Sequence, residues 1–398
     1  MAPDSLDHHD APSRPSTERL RLSLYYAAAF TVVGINLPFW PVWLESRGLS
    51  AAEIGTVLAV ALWARIVVNS IAAHIVDRTG FRRGVMVVLA AASLCLYALF
   101  PLAEGFWSLC ALSALSGGLF AAITPLGDNL SMLIAYARGF DYGRIRLWGS
   151  LGFIAAAVVG GSLLKLHPPS IILWAMLFGV AATLATCATL PAAPTRGAGG
   201  RSAHAYRWLL SQRLFWLFLG TTSLINASHA VYYGFATLHW RQAGLGSDTI
   251  GLLWGEAVVA EVILFAFSGS VVARVGPAGL LLLGAVGSTV RWLVLGTTTW
   301  LPALAVEQTL HALTFGATHL GAMHFIARAV PFGVSARAQA LYSSVSMGAV
   351  FGLAMLASGR LYESWQGEAF LVCAGLAAAG CLAAHALRRR WDGARLAP

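Results

Sequence analysis

The chain has almost no lysine: Lys165 is the only one in 398 residues, and Asp, Glu, Lys and Arg together make up 11%. A soluble globular chain carries about 25%. So few charges cannot clothe a water-facing surface, which excludes a soluble fold. No G-x-x-x-x-G-K-[ST] occurs, which excludes a P-loop ATP-driven pump site. H-E-x-x-H and C-x-x-C are also missing. The five cysteines, Cys95, Cys110, Cys187, Cys373 and Cys381, lie in apolar runs without metal or disulfide spacing, and they read as small packing residues. No arrangement suggests an enzyme, and neither cofactor nor metal is implied. The first residues lack the basic, apolar, small-residue order of a cleaved signal peptide. Met1 to Arg19 is polar, with Asp4, Asp7, His8, His9 and Asp10, and reads as a disordered tail rather than a metal site.

What is abundant is apolar. Hydrophobic residues make up 58% of the chain and the mean hydropathy is +0.71. Apolar runs of spanning length alternate with short polar breaks, which predicts an all-α membrane protein. Twelve helices are placed near 22–44, 51–76, 82–101, 106–136, 143–166, 169–190, 212–240, 248–273, 277–297, 300–328, 336–361 and 367–388. The longest polar break, Pro191 to Gln212, reads as a linker between two six-helix halves. The expected organisation is a disordered tail over 1–20, bundles over 21–190 and 212–390, a linker over 191–211 and a second tail over 391–398. Arginine placement sets the orientation. If the N-terminus is cytoplasmic, 20 of the 26 Lys and Arg residues fall on the cytoplasmic side and 4 on the other, with Arg65 and Arg291 inside helices. The net charge of +9 is thereby explained without nucleic acid.

The halves repeat. Gly48-Leu49 and Ile54-Gly55 recur as Gly244-Leu245 and Ile250-Gly251, and the same offset of 196 carries Arg78 to Arg274 and Gly80 to Gly276. Two pseudo-symmetric bundles follow, with a substrate site expected at their interface near the midplane. The offset also maps Arg65 onto Glu261.

Pro125 to Phe153 organises the charges. Asp128 lies ten residues inside helix 4, ~15 Å from the polar turn at Ala137 to Tyr142. Arg146 enters helix 5 from the other side of that turn, five residues beyond Asp141. Opposite charges on adjacent antiparallel helices can meet inside the membrane, which marks either a polar, functional cavity or an ion pair locking two helices. Glu261 in helix 8 has apolar neighbours all round. A low-dielectric site penalises the ionised form of a carboxylate, which suits a proton carrier. The alternative is a permanent salt bridge, for instance with Arg291. Glu256 sits five residues earlier, about 140° round the helix, so it shares no face with Glu261. Glu307 and His311 are spaced i, i+4 on helix 10 and can touch. His319 and His324 read as structural. Pro38, Pro41 and Pro125 predict kinks.

The turn Asp77-Arg78-Thr79-Gly80-Phe81-Arg82-Arg83 resembles the D-R-x-G-x-[RK]-[RK] signature of the major facilitator superfamily, in which the aspartate and arginines form a conformational latch. Ala73 and Ala273 depart from that pattern, so the first half is expected to carry the latch of Asp77, Arg78, Gly80, Arg82 and Arg83. Helices 4 and 5, Val290-Arg291, Thr309-Leu310-His311 and Leu361-Tyr362-Glu363-Ser364 resemble lactose permease and its relatives. That resemblance implies substrate contacts at Asp128 and Arg146, ring stacking at Phe153, and proton coupling through Arg291 and His311. Thr314 stands where the family has a carboxylate, which Glu307 with His311 could replace. The resemblance is closer to the phenylpropionate permease branch, over Leu37-Pro38-Phe39-Trp40, Arg144 to Gly149, His229 to Phe235 and Val259 to Val262.

It implies a proton-coupled importer of an aromatic carboxylate. The expected setting is a bacterial inner membrane, with both termini cytoplasmic by the arginine placement and the chain a monomer. Arg146, Arg65 or Arg291 would hold the carboxylate, and Phe153, Tyr232, Tyr233 or Trp254 would stack on the ring. The expected substrate set is Asp128, Arg146, Phe153, Arg65, Tyr232, Tyr233 and Glu256. The expected coupling set is Glu261, Arg291, Glu307 and His311. Sugar:proton symport, drug:proton antiport and a transport-incompetent membrane sensor are the rival readings.

Overall fold

The computed structural model describes residues 15–191 and 203–396, and the described secondary structure is helical throughout. The histidine-bearing start of the chain and most of the expected linker lie outside these residues. Ten helical stretches are long and apolar enough to cross a bilayer. The last, Phe332–Arg390, is 59 residues long, about 88 Å at helical rise and far more than one ~30 Å crossing. It turns back at Gln366, whose φ is +48°, and so makes two passes. One further segment, from Leu301 to Ala329, is helical but interrupted. The described chain therefore makes twelve passes.

The first half contains α1 (Pro15–Ser46), α2 (Ala51–Thr79), α3 (Arg82–Ala98), α4 (Gly105–Arg138), α5 (Tyr142–Leu166) and α6 (Ser170–Thr189). In the second half α7 is Arg213–Ala227 and Ala230–Gln242, α8 is Ser247–Ala266 and Ser268–Val275, and α9 is Pro277–Thr297. Helix α10 is Leu301–Thr309 and Thr318–Ala329 with a π turn, Ala312–Ala317, between them. Helix α11 is Phe332–Ser344 and Phe351–Trp365 around a second π turn, Val345–Val350, and α12 is Ala369–Arg390. The prolines of α1 and α4 are accommodated inside continuous helices. Hydropathy does not foresee the π turns, because one extra residue per turn leaves composition unchanged.

Two boundaries differ from expectation. Helix α1 starts at Pro15, because Glu18 in its first turn is buried against Arg138 at 2.9 Å and anchors the turn to α4. Part of the expected linker, Ala203–Ser211, is a short helix that buries Leu209 with Phe215, Trp391 and Leu396 under the second bundle.

The 196-residue repeat is visible in the backbone. Gly48 and Gly244 have φ of +87° and +88°, and Gly80 and Gly276 share φ of +70° and +72° although their ψ differ, −7° and 165°. Such positive φ values favour glycine. Gly55 and Gly251 occupy close approaches between the halves. A Cβ at Gly55 would lie 2.7 Å from the Gly359 Cα on α11, and one at Gly251 would collide with the Ala157 carbonyl on α5. Near the same end, Lys165 pairs with Asp248 at 2.6 Å and Glu45 faces Arg241 at 3.9 Å. The halves are thus held together at the end away from most arginines. Closer to the arginine-rich end, the cross-half hydrogen bonds found among the described residues are Trp63 Nε1 to the Ala349 carbonyl and Arg65 Nη2 to the Met347 carbonyl. Beyond these the interface separates into a crevice.

A Gly251→Val substitution is expected to pry α5 from α8. Alkylation of a cysteine introduced at Leu164 should then accelerate several-fold in purified protein, and an unchanged rate would show that this contact does not close the far end.

Candidate functional site

Two charged clusters sit at mid-depth, one in each half. In the first, the Asp128 carboxylate accepts hydrogen bonds from the Tyr26 hydroxyl at 2.6 Å and the Tyr142 hydroxyl at 3.0 Å, with Arg146 Nε at 3.9 Å. The pairing of Asp128 with Arg146 is the juxtaposition expected from helix geometry. The Arg146 guanidinium lies 4.0 Å over the Phe30 ring and 5.3 Å from the Tyr26 ring centroid. Gly149, one turn further along α5, makes this possible: a Cβ there would lie 2.6 Å from Arg146 Nη1 and 3.0 Å from Phe30. Both charged side chains keep roughly a third of their surface accessible, 31% for Asp128 and 32% for Arg146. Arg146 makes few direct bonds, so most of its donors stay free for a ligand.

The second cluster is sealed. Arg291 has no accessible surface. Its Nε donates to Glu307 at 2.7 Å and its Nη2 to Gln308 Oε1 at 2.7 Å. Its Nη1 is 2.9 Å from His311 Nδ1 and donates to Thr314 at 3.3 Å. Tyr232 donates to Gln308 at 2.9 Å, and its ring lies 4.2 Å below the guanidinium. Gln308 Nε2 donates to Glu307 Oε1 at 2.9 Å, which closes the ring of bonds. Every nitrogen of the guanidinium has a partner, as a desolvated cation requires.

Glu261 joins the clusters. Its carboxylate is 3.6 Å from His311 Nε2. It is also within electrostatic reach of Arg146, as is His319. The charged groups of the two halves therefore lie within electrostatic reach of one another.

Several expected site residues are placed differently. Phe153 is 6% exposed, and its backbone packs on Gly34 of α1, so the rings beside Arg146 are Tyr26 and Phe30 instead. Arg65, expected as a carboxylate holder, donates across to the Met347 carbonyl of α11. Tyr232 is walled in by Arg291, Trp254 and Trp292, whereas Tyr233 is partly open and stacks on Trp254. Glu307 and His311 meet through Arg291 rather than directly. Glu261 pairs with His311, not with Arg291. Glu256 is half-buried and has neither hydrogen bond nor ion pair among the described residues. Asp77 is exposed and pairs with no arginine there. Arg82 instead donates to Asn129 at 2.8 Å and Arg83 to the Leu190 carbonyl at 3.2 Å. Asp77, Arg82 and Asn129 line a cavity of about 540 Å³ between α2 and α4. Tyr26, Phe30 and Tyr142 escaped the sequence reading, although Tyr26 and Phe30 are spaced i, i+4 on one face of an apolar helix.

Twelve helical passes in two related bundles, with opposed charges in a crevice between them, define a multi-pass membrane transporter. The chain belongs to the MFS_1 like family, whose model matches residues 19–372. It is 35% identical over 345 residues to a probable 3-phenylpropionic acid transporter of Escherichia coli (strain K12), covering 86% of this chain and 90% of that one. It is 29% identical over 348 residues to a maltose permease of Geobacillus stearothermophilus, covering 86% and 87%. Among solved structures, the nucleoside transporter NupG superposes with a TM-score of 0.80 at 16% identity, covering 93% of this chain and 99% of that one. A bacterial homologue of the human lysosomal transporter Spinster, solved inward-facing and unoccupied, superposes with a TM-score of 0.73 at 13% identity, covering 97% and 100%. The fold is the major facilitator fold, and the protein is a transporter rather than an enzyme.

Arg291→Met should strand the buried Glu307 charge and cost about 3–5 kcal/mol. Thermal unfolding in detergent should show a large drop in midpoint, and adding Glu307→Gln should recover most of it. A single variant as stable as the native protein would mean that the sealed network contributes nothing to folding.

Proposed function

We propose that the protein imports a small aromatic carboxylate, with 3-phenylpropionate as its representative, together with protons. The observation that carries this reading is the contrast between the two arginines. Arg291 is saturated by its own half, whereas Arg146 is accessible, sparsely bonded and flanked by the rings of Phe30 and Tyr26. A guanidinium with free donors suits a carboxylate, and neighbouring aromatic edges and faces suit a phenyl ring. The likeness to a probable 3-phenylpropionic acid transporter supports the same class. An anion seated at Arg146 disfavours a second negative charge at nearby Glu261. Glu261 is then neutralised as substrate binds, which couples one proton to one anion. His311 relays between Glu261 and the Arg291 network.

Arginine placement puts the open crevice and both termini on the cytoplasmic side of a bacterial inner membrane. The conformation is then inward-open, and transport proceeds by rocking the 21–190 half against the 212–390 half. The monomer suffices, since both clusters come from one chain. Sugar:proton symport is the second reading. It is favoured by the Asp128 carboxylate among two tyrosine hydroxyls, which can exchange partners with a polyol.

The test is uptake into proteoliposomes. An inward proton gradient should drive accumulation of labelled 3-phenylpropionate. Glu261→Gln should abolish accumulation while leaving exchange intact, and Arg146→Gln should weaken binding roughly 10- to 100-fold, the worth of a charged hydrogen bond. Gradient-independent equilibration that is unchanged in Glu261→Gln would remove the coupling claim. Competition by maltose but not by aromatic acids would favour the sugar reading.

A further inference from the structure

Helix α10 carries three parallel rings in a column. The His311 and Phe315 rings are 5.6 Å apart and the Phe315 and His319 rings 6.1 Å apart, each pair tilted by only 6°. In a regular α-helix, residues four apart drift by about 40° round the axis, so such a column would fan out. The π turn at Ala312–Ala317 has more residues per turn and takes up that drift. His319 is thereby held on the line that begins at the sealed network and runs toward the crevice.

His319 is partly accessible, yet neither ring nitrogen has a partner among the described residues. Nδ1 is buried without a hydrogen bond, while Nε2 is outside the buried set and therefore open. Leaving a buried N–H without an acceptor costs about 1–3 kcal/mol, which favours the tautomer with the proton on Nε2. That tautomer presents one N–H donor to the crevice. Arg146 from α5 is within electrostatic reach of it, and the Glu261 side chain from α8 packs on the π turn at Gly316, 3.6 Å from where a Cβ would stand. The depths agree. His319 is ten residues from the end of α10 at Ala329, and Asp128 is ten residues from the end of α4 at Arg138, each ~15 Å from its helix end. The long side chain of Arg146 spans the rest.

On the reading that the substrate is a small aromatic carboxylate, we propose that His319 is a substrate-binding residue, whose Nε2–H donates to the carboxylate held by Arg146. Arg146 belongs to the first half and His319 to the second, so one anion bonded to both spans the crevice. Binding would then draw the two halves together where they are now apart. The sequence reading had treated His319 as structural.

The test uses full-length protein in detergent, with equilibrium binding of 3-phenylpropionate and of its neutral amide, 3-phenylpropanamide. His319→Ala should weaken the acid about 10- to 100-fold, as expected for a hydrogen bond to a charged group, and should change amide binding little. His319→Gln, whose amide nitrogen reaches the place of Nε2, should restore most of the affinity. His319→Asn, which mimics Nδ1, should not. In a double-mutant cycle the losses from His319→Ala and Arg146→Gln should be less than additive. If wild-type protein binds 3-phenylpropionate and both His319→Ala and His319→Gln bind it equally well, the His319 contact is wrong while the carboxylate reading stands. If wild-type protein binds neither compound, both fall. If Asn rescues as well as Gln, the ring acts by packing and the proposal is overturned.

Discussion

An ion in hydrocarbon must find its counter-charges and hydrogen bonds inside the protein, and the two arginines at mid-depth meet this demand in opposite ways. Arg291 is enclosed by Glu307, Gln308, His311, Thr314 and the face of Tyr232, all contributed by the second half. Such an enclosure is rigid, because losing any partner leaves a buried charge uncompensated. Arg146 has one distant carboxylate and two ring faces and is wetted by the crevice. The first arrangement holds the second half together; the second leaves most of the guanidinium donors without a partner among the described residues. Glu261 and His311 stand between them, His311 bonded to Arg291 and Glu261 within electrostatic reach of Arg146.

The crevice itself results from how the halves touch. Glycines 55, 161, 251 and 359 allow the backbones of α2 and α11, and of α5 and α8, to cross closely near one end. Two cross-half ion pairs reinforce that end. Nothing comparable joins the described residues at the arginine-rich end. Pairs such as Lys165 and Asp248 are half-exposed and individually weak. The end that these pairs reinforce is also joined by buried apolar side chains of both halves, among them Ile54, Val57, Phe235 and Ile250.

The arginine-rich turn after α2 fits the same picture. Among the described residues Asp77 has no arginine partner, while Arg82 and Arg83 bond within their own half.

Much of the molecule was legible as a string. Burial in lipid imposes long apolar helices, so helix number followed from hydropathy. The 196-residue repeat was legible because left-handed turns need glycine, as at Gly48 and Gly244. The meeting of Asp128 and Arg146 was legible because both flank one short turn, where helical rise alone sets their depth. Partners distant in sequence were not. No local pattern indicates that Arg65 will cross to the Met347 carbonyl, that Phe153 will be buried on α1 while Phe30 takes its place beside Arg146, or that a π turn will align His311 with His319. Those contacts depend on the rotation of each helix about its axis and on which backbone approaches it, quantities set by the packing of all twelve passes together.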